Sequence, residues 1–216
     1  KVFGPEGIKK ITDGFEQAYA LDAQYRFDHH GDVVLVQSAN GYEAITISPS
    51  ESPFYDDGDL KITAFLVEHE PVSPSLGFRF DYKGRSIVFS GDTIYSENLL
   101  RYAIDADVLF MEALSMDIIS RLQKTQESIG NERNAKIMFD IQDYHISPKD
   151  GARLAKKANV KHLVFYHLAP APIISLMAEV FTRGVDEIFS DFTLADDGTY
   201  IVLPKNSKEI KISSIN

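Results

Sequence analysis

Four short apolar runs, at residues 60–67, 85–90, 108–111 and 161–166, each lead into a residue that can titrate. FLVEH delivers His69, IVFSGD delivers Asp92, VLFME delivers Glu112 and HLVFYH delivers His167. Runs of this length, rich in Val, Ile, Leu and Phe, read as buried strands. The segments between the later runs show helical spacing, so the chain is constrained to an α/β fold that mixes antiparallel meanders with strand–helix units.

A further run at 76–82 precedes Lys83-Gly84, a tight-turn pair that predicts a hairpin with 85–90. Two reversals then make 60–67 and 85–90 run in the same direction, which places His69 and Asp92 at one edge of the sheet. Upstream, Ile8, Ile11, Phe15, Ala18 and Leu21 predict an amphipathic helix over 5–27, entered through a Gly-Pro turn. Strand-like runs follow at 33–36 and 44–47, divided by Asn40-Gly41, and then a polar loop over 48–59. Further helices are expected at 96–103, from about 115, at 131–140, at 148–158 and at 172–183. The fourth of these has Ser147 as its cap, Pro148 at its first position and Asp150 at its third. A hairpin of 192–194 with 200–203 around Asp196-Asp197-Gly198 would end the fold. No repeat, low-complexity tract or linker divides the chain, which reads as a single domain over 1–216.

Charge narrows the partners. The 22 basic and 32 acidic residues leave a net −10, which repels nucleic acid and anionic membrane unless the basic residues cluster. Arg79, Lys83 and Arg85 lie close together, but alternation and the hairpin make them a solvated face. With no cysteine, disulfides, thiol nucleophiles and thiolate zinc sites are excluded. No apolar run approaches the roughly 18–20 residues of a membrane helix. The sequence opens on Lys1 without a signal-like segment, which points to truncation at its N-terminus.

In open α/β sheets, ligand-binding and catalytic groups collect beyond the carboxyl ends of parallel strands. Two imidazoles and a carboxylate there, His69, His167 and Asp92, are suitable ligands for zinc, iron or manganese. Each also has an ordinary reading: a hydrogen-bonded histidine at a strand boundary, a turn aspartate in Gly-Asp-Thr, and for Glu112 a solvated or paired carboxylate. His145, two residues before the cap Ser147, either presents a hydrogen bond to an oxyanion near the helix amides or simply packs on Tyr144. His162 opens its strand and reads as structural, and His29-His30 as a loop feature.

Taken together, GPEGIKKITDGFEQAYALDAQYR (4–26), VEHEPVSPSLGFRFDYKGRSIVFSGDT (67–93), ENLLRYAIDADVLFMEA (97–113) and YHISPKDGARLAKKANVKHLVFYHLAP (144–170) resemble the metallo-β-lactamase-fold hydrolases, in the branch of ribonuclease Z and the arylsulfatase-like enzymes. The resemblance implies an αββα sandwich, incomplete at the N-terminus, of which these residues form the C-terminal two-thirds. It implies His69 on a first metal ion, Asp92 bridging two, His167 on a second, His145 steadying the transition state, and Glu112 beyond the ligands. Met111 stands where the family usually has histidine, and the family's leading His-x-His-x-Asp-His is absent from this sequence. Two zinc ions would supply a hydroxide for attack on a phosphodiester, a sulfate ester or a similar ester, with manganese or iron as substitutes. The expected partner is a small ester substrate, with RNA as the alternative, no membrane, and room for a homo-oligomer. The compartment would be cytoplasmic for a ribonuclease Z-like protein and periplasmic or secreted for an arylsulfatase-like one. The rival from another class is an inactive remnant or association module.

Overall fold

The computed structural model describes residues 1–36 and 41–215, and the chain forms two compact units, Lys1–Ser48 and Pro49–Asn216. In the first unit, β1 (Val2–Gly4) pairs in parallel with β2 (Ala44–Thr46), and α1 (Ile8–His30) lies between them in sequence. Gly7, at φ 97°, opens α1, and the Gly31 amide closes it by donating to Phe27 O at 2.7 Å. Residues 33–36, expected as a strand, are instead part of a turn. The Gly31 carbonyl accepts from the amides of both Val34 and Leu35, which commits that backbone to a reversal. His29 and His30, expected in a loop, are the last two residues of α1. Asn40, half of the expected Asn-Gly divider, lies outside the described residues.

The second unit is built on a mixed seven-stranded sheet among the described residues. Its strands are β3 (Tyr55–Asp56), β4 (Leu60–Val67), β5 (Ser75–Tyr82), β6 (Arg85–Phe89), then, after α2 (Glu97–Ala103), β7 (Val108–Leu114). Helices α3 (Met116–Ser128), α4 (Glu132–Asp140) and α5 (Pro148–Lys157) precede β8 (His162–Ala169), and α6 (Ser175–Phe181) precedes β9 (Phe192–Leu194). The sheet order is sequential from β3 to β9; β4, β5 and β6 are antiparallel neighbours, and β6, β7, β8 and β9 run parallel. The double reversal therefore does bring the ends of β4 and β6 to one edge, and the ends of β7 and β8 join them there.

Alternation along the strands explains the packing. Val88, Leu109, Met111, Leu163 and Phe165 are fully buried in a core shared with Leu99 and Ala103 of α2 and Leu154 and Ala155 of α5. The opposite face carries half-buried rings, with Phe89 stacked on Phe110 at 4.4 Å and both edge-on to Tyr166. The α5 start follows the sequence closely: Ser147 Oγ accepts the Asp150 amide at 3.1 Å.

Two expectations fail here. The closing hairpin does not form: β9 lies parallel beside β8, whereas β10 (Thr199–Val202) pairs antiparallel with β11 (Lys211–Ser214). Arg85 is not on a solvated face. Its side chain is 7% exposed, Nε bonds Asp107 Oδ2 at 3.0 Å, and Nη1 donates to the carbonyls of Pro204, Ser207 and Glu209. A guanidinium tolerates such a site because its fixed fork can serve a carboxylate and several carbonyls at once. Among the described residues, no helix is long and apolar enough to cross a membrane.

Candidate active site

The site is assembled at the common edge from the loops that leave β4 and β6, from Glu112 within β7 and His167 within β8, and from the segment that leads into α5. Two of those loops are tied at Thr93, whose hydroxyl accepts the Glu68 amide at 3.2 Å, while Ile94 N donates to Glu68 O at 2.9 Å. Asp92 is held through its backbone, since Ser75 Oγ donates to Asp92 O at 3.0 Å. The preceding Gly91 has φ 63°, and a Cβ there would sit 2.4 Å from Leu76 O. Gly91→Ala is therefore expected to lose roughly 1–3 kcal/mol, from left-handed strain plus a backbone clash. Urea unfolding of the two proteins measures this, and an unchanged midpoint would show that the turn relaxes freely.

Glu112 is the pivot of the site. Its side chain is fully buried, and Oε1 accepts the Thr93 amide at 3.1 Å and the Ile146 amide at 3.1 Å. The same oxygen lies 3.1 Å from His145 Nδ1, so Nδ1 carries a hydrogen and donates it. Oε2 is buried and has no partner among the described residues. Burial by itself would push the His145 pKa down. The hydrogen bond and charge of Glu112, helped by the charge of Asp92, outweigh burial and hold it above the usual imidazole value. His145 also touches Tyr144, with ring centroids 4.9 Å apart, so the packing contact and the polar one coexist.

His69 is half-buried, and its Nδ1 lies 2.7 Å from Tyr144 O. A carbonyl only accepts, so Nδ1–H donates and the Nε2 lone pair is left to face a ligand. His167 reaches the edge by a bulge. Glu112 pairs with Tyr166 and Ala113 with Leu168, leaving His167 as the extra residue, at φ 46°. That twist aims Nε2 to within 3.5 Å of Asp92 Oδ2, and both side chains are about half exposed. The three histidines form a row, with centroids 5.1 Å apart from His69 to His145 and 6.1 Å from His145 to His167.

These donors are right in kind for zinc but too few in number. Among the described residues, no group of three or more His, Cys, Asp or Glu side chains is set to hold a metal ion. Asp92 and His167 meet, whereas a catalytic zinc ordinarily takes three protein ligands. The described side chains alone therefore do not fit a dinuclear centre. Sequence patterns pointed to His69, Asp92, His145 and His167 but not to Thr93 or Ser90. Ser90 Oγ receives the Glu112 amide at 3.0 Å and thus helps to seat that carboxylate. The only local sign of either residue is its place within SGDT after a strand.

Residues 12–168 match the model of the beta-lactamase superfamily domain. A ribonuclease Z from Mycobacterium bovis (strain BCG / Pasteur 1173P2) is 29% identical over 79% of this chain and 55% of its own length. One from Mycobacterium marinum is 30% identical over 80% and 56%. The chain thus spans about half the length of these relatives. The metallo-beta-lactamase fold protein YhfI from Bacillus subtilis superposes with a TM-score of 0.50 and 18% identity, covering 75% of this chain and 57% of that one. The matched segment takes in most of the sheet and every residue of the row of histidines, and the chain belongs to the beta-lactamase superfamily, with the metallo-β-lactamase fold.

Proposed function

We propose that this edge is the part of a hydrolytic site that handles the departing oxygen of a small phosphodiester, sulfate ester or similar ester. The observation that carries the reading is the Glu112–His145 pair, seated between His69 and His167 in the row. Glu112 fixes the ring through Nδ1, and Nε2 has no protein partner among the described residues, which leaves it to donate to charge developing on a leaving oxygen. Hydrolases of this superfamily generally bind metal ions, often zinc. Here His69, Asp92 and His167 would contribute to such a centre, which they do not complete by themselves.

The assignment of ligands has its own test. Alanine at His69, Asp92 or His167 in the full-length protein is expected to remove at least half of the bound zinc, read by elemental analysis, and to abolish turnover with it. Full zinc content in all three variants would refute the assignment, and a wild-type protein with neither zinc nor activity would favour a non-catalytic association module.

A second reading has a specific support. The similar proteins from Mycobacterium bovis and Mycobacterium marinum are ribonucleases Z, so a transfer-RNA 3′-end endonuclease is the alternative. Side-by-side turnover of aryl sulfate, bis-aryl phosphate and precursor tRNA separates the two, and efficient tRNA cleavage would select the second.

A further inference from the structure

Tyr144 touches two histidines of the row, and it does so with two different parts of the residue. Its carbonyl accepts the His69 Nδ1 hydrogen at 2.7 Å. Its ring lies edge-on to His69, with centroids 4.9 Å apart and planes at 85°, and is tilted by 53° to His145 at the same separation. His69 and His145 are themselves 5.1 Å apart, so the three rings close a triangle of contacts. The segment that carries Tyr144 is anchored on both sides. Gln142 Nε2 donates to Met138 O at 2.7 Å and to Gln123 Oε1 at 3.0 Å, and Ile146 O accepts the Leu114 amide at 2.8 Å. These anchors place the Tyr144 carbonyl independently of the side chain at 144.

We propose that Tyr144 is a positioning residue of the hydrolytic site: its carbonyl selects the His69 tautomer, and its ring fixes the pose of His69 against His145. The proposal rests on the hydrolytic reading above and adds to it a residue that acts through the two imidazoles. One hydrogen bond between neutral groups is a weak tether for an imidazole. His69 also borders a cavity of about 570 Å³, which gives its ring room to swing away. Tyr144 lines the same cavity, and its ring packs against both imidazoles. Without that ring, His69 can turn about its Cβ–Cγ bond and leave the carbonyl. The Nε2 lone pair that faces a ligand then loses its direction. The hydroxyl takes no part in either contact, so phenylalanine should serve as well as tyrosine.

Hydrogen exchange of the His69 Nδ1 proton, read by nitrogen-edited NMR on the intact protein, reports the pose without requiring turnover. In Tyr144→Leu and Tyr144→Met this proton is expected to exchange at least about tenfold faster, while the backbone amides of β7 keep their wild-type rates. In parallel, kcat for methyl p-nitrophenyl phosphate should fall by about 10–100-fold in both variants. KM should change by less than about threefold. Tyr144→Phe should stay within about twofold of the wild type in exchange and in kcat. Leucine and methionine differ in shape, so one misfolded variant leaves the other informative. Unchanged exchange or unchanged kcat in a folded variant without the ring would overturn the proposal. So would β7 amides that speed up together with the His69 proton, or a Tyr144→Phe protein as impaired as Tyr144→Leu. Faster His69 exchange alone, in a protein whose wild type has no turnover, keeps the hold of the ring on His69 and counts against the hydrolytic reading. Wild-type turnover with both variants unaffected does the reverse.

Discussion

Replacing Arg85 by alanine is expected to destabilise the protein by about 3–5 kcal/mol, the usual cost of leaving one half of a buried ion pair behind. Asp107 would keep Lys161, whose Nζ lies 2.6 Å from Oδ1, but that lysine is half exposed. It would lose the guanidinium at Oδ2, and the carbonyls of Pro204, Ser207 and Glu209 would lose their shared donor. Equilibrium urea unfolding reads the loss, and the segment around 204–209 should gain hydrogen exchange first. A loss below about 1 kcal/mol would mean that water replaces the guanidinium without penalty. The pH dependence has a definite sign. Burial alone would raise the Asp107 pKa, but Arg85, Lys161 and the Ser86 amide together hold it below the usual carboxylate value of 3.8. A carboxylate depressed in the folded state stabilises above its unfolded pKa and loses that contribution as pH falls through the folded one. The wild type should therefore keep this contribution down to the acid side of the ordinary carboxylate range. The Arg85→Ala protein, its Asp107 left with more of the burial penalty, should begin to lose stability at higher pH.

The second large effect belongs to Glu112. Glu112→Leu preserves approximate volume but removes the acceptor shared by the Thr93 amide, the Ile146 amide and His145 Nδ1. Two buried amides left without a partner, at roughly 1–3 kcal/mol each, predict a clear fall in stability. Turnover of an aryl phosphodiester should fall by about 10–100-fold, the range seen when a group that orients a working histidine is removed. Glu112→Gln separates the two effects, because an amide oxygen still accepts from backbone N–H groups but no longer offers a negative charge to the imidazole. If Glu112→Gln restores stability but not turnover, the carboxylate acts through His145. If Glu112→Leu retains full turnover while folded, His145 does not depend on it.

Much of this architecture was legible in the order of residues because burial leaves a periodic trace. The apolar runs that become β4, β6, β7 and β8 needed no partner to be recognised, and Lys83-Gly84 fixed the reversal that sets their directions. Ser147, Pro148 and Asp150 marked a helix start because capping is a local interaction. What escaped was decided at long range. Arg85 looked solvated from its neighbours in sequence; the three carbonyls that hold it lie more than a hundred residues away. The segment 192–194 looked like half of a hairpin, yet the open edge of β8 offered a longer-range parallel partner. Residues 33–36 carry the composition of a strand, but Gly31 ties their amides into a turn. At the candidate site the residue types were readable and their bonding was not. Nothing local announces that Glu112 accepts three hydrogens at one oxygen, or that a bulge turns His167 toward Asp92.

Thr93 shows what such wiring implies for dissecting the site. Its amide binds the carboxylate that orients His145, and its hydroxyl receives the amide beside His69. A residue joined to both branches makes them energetically interdependent, so the energies of substitutions at 68, 93 and 112 will not simply sum. Attributing rate losses to one imidazole or another would then require pairwise thermodynamic cycles rather than single replacements.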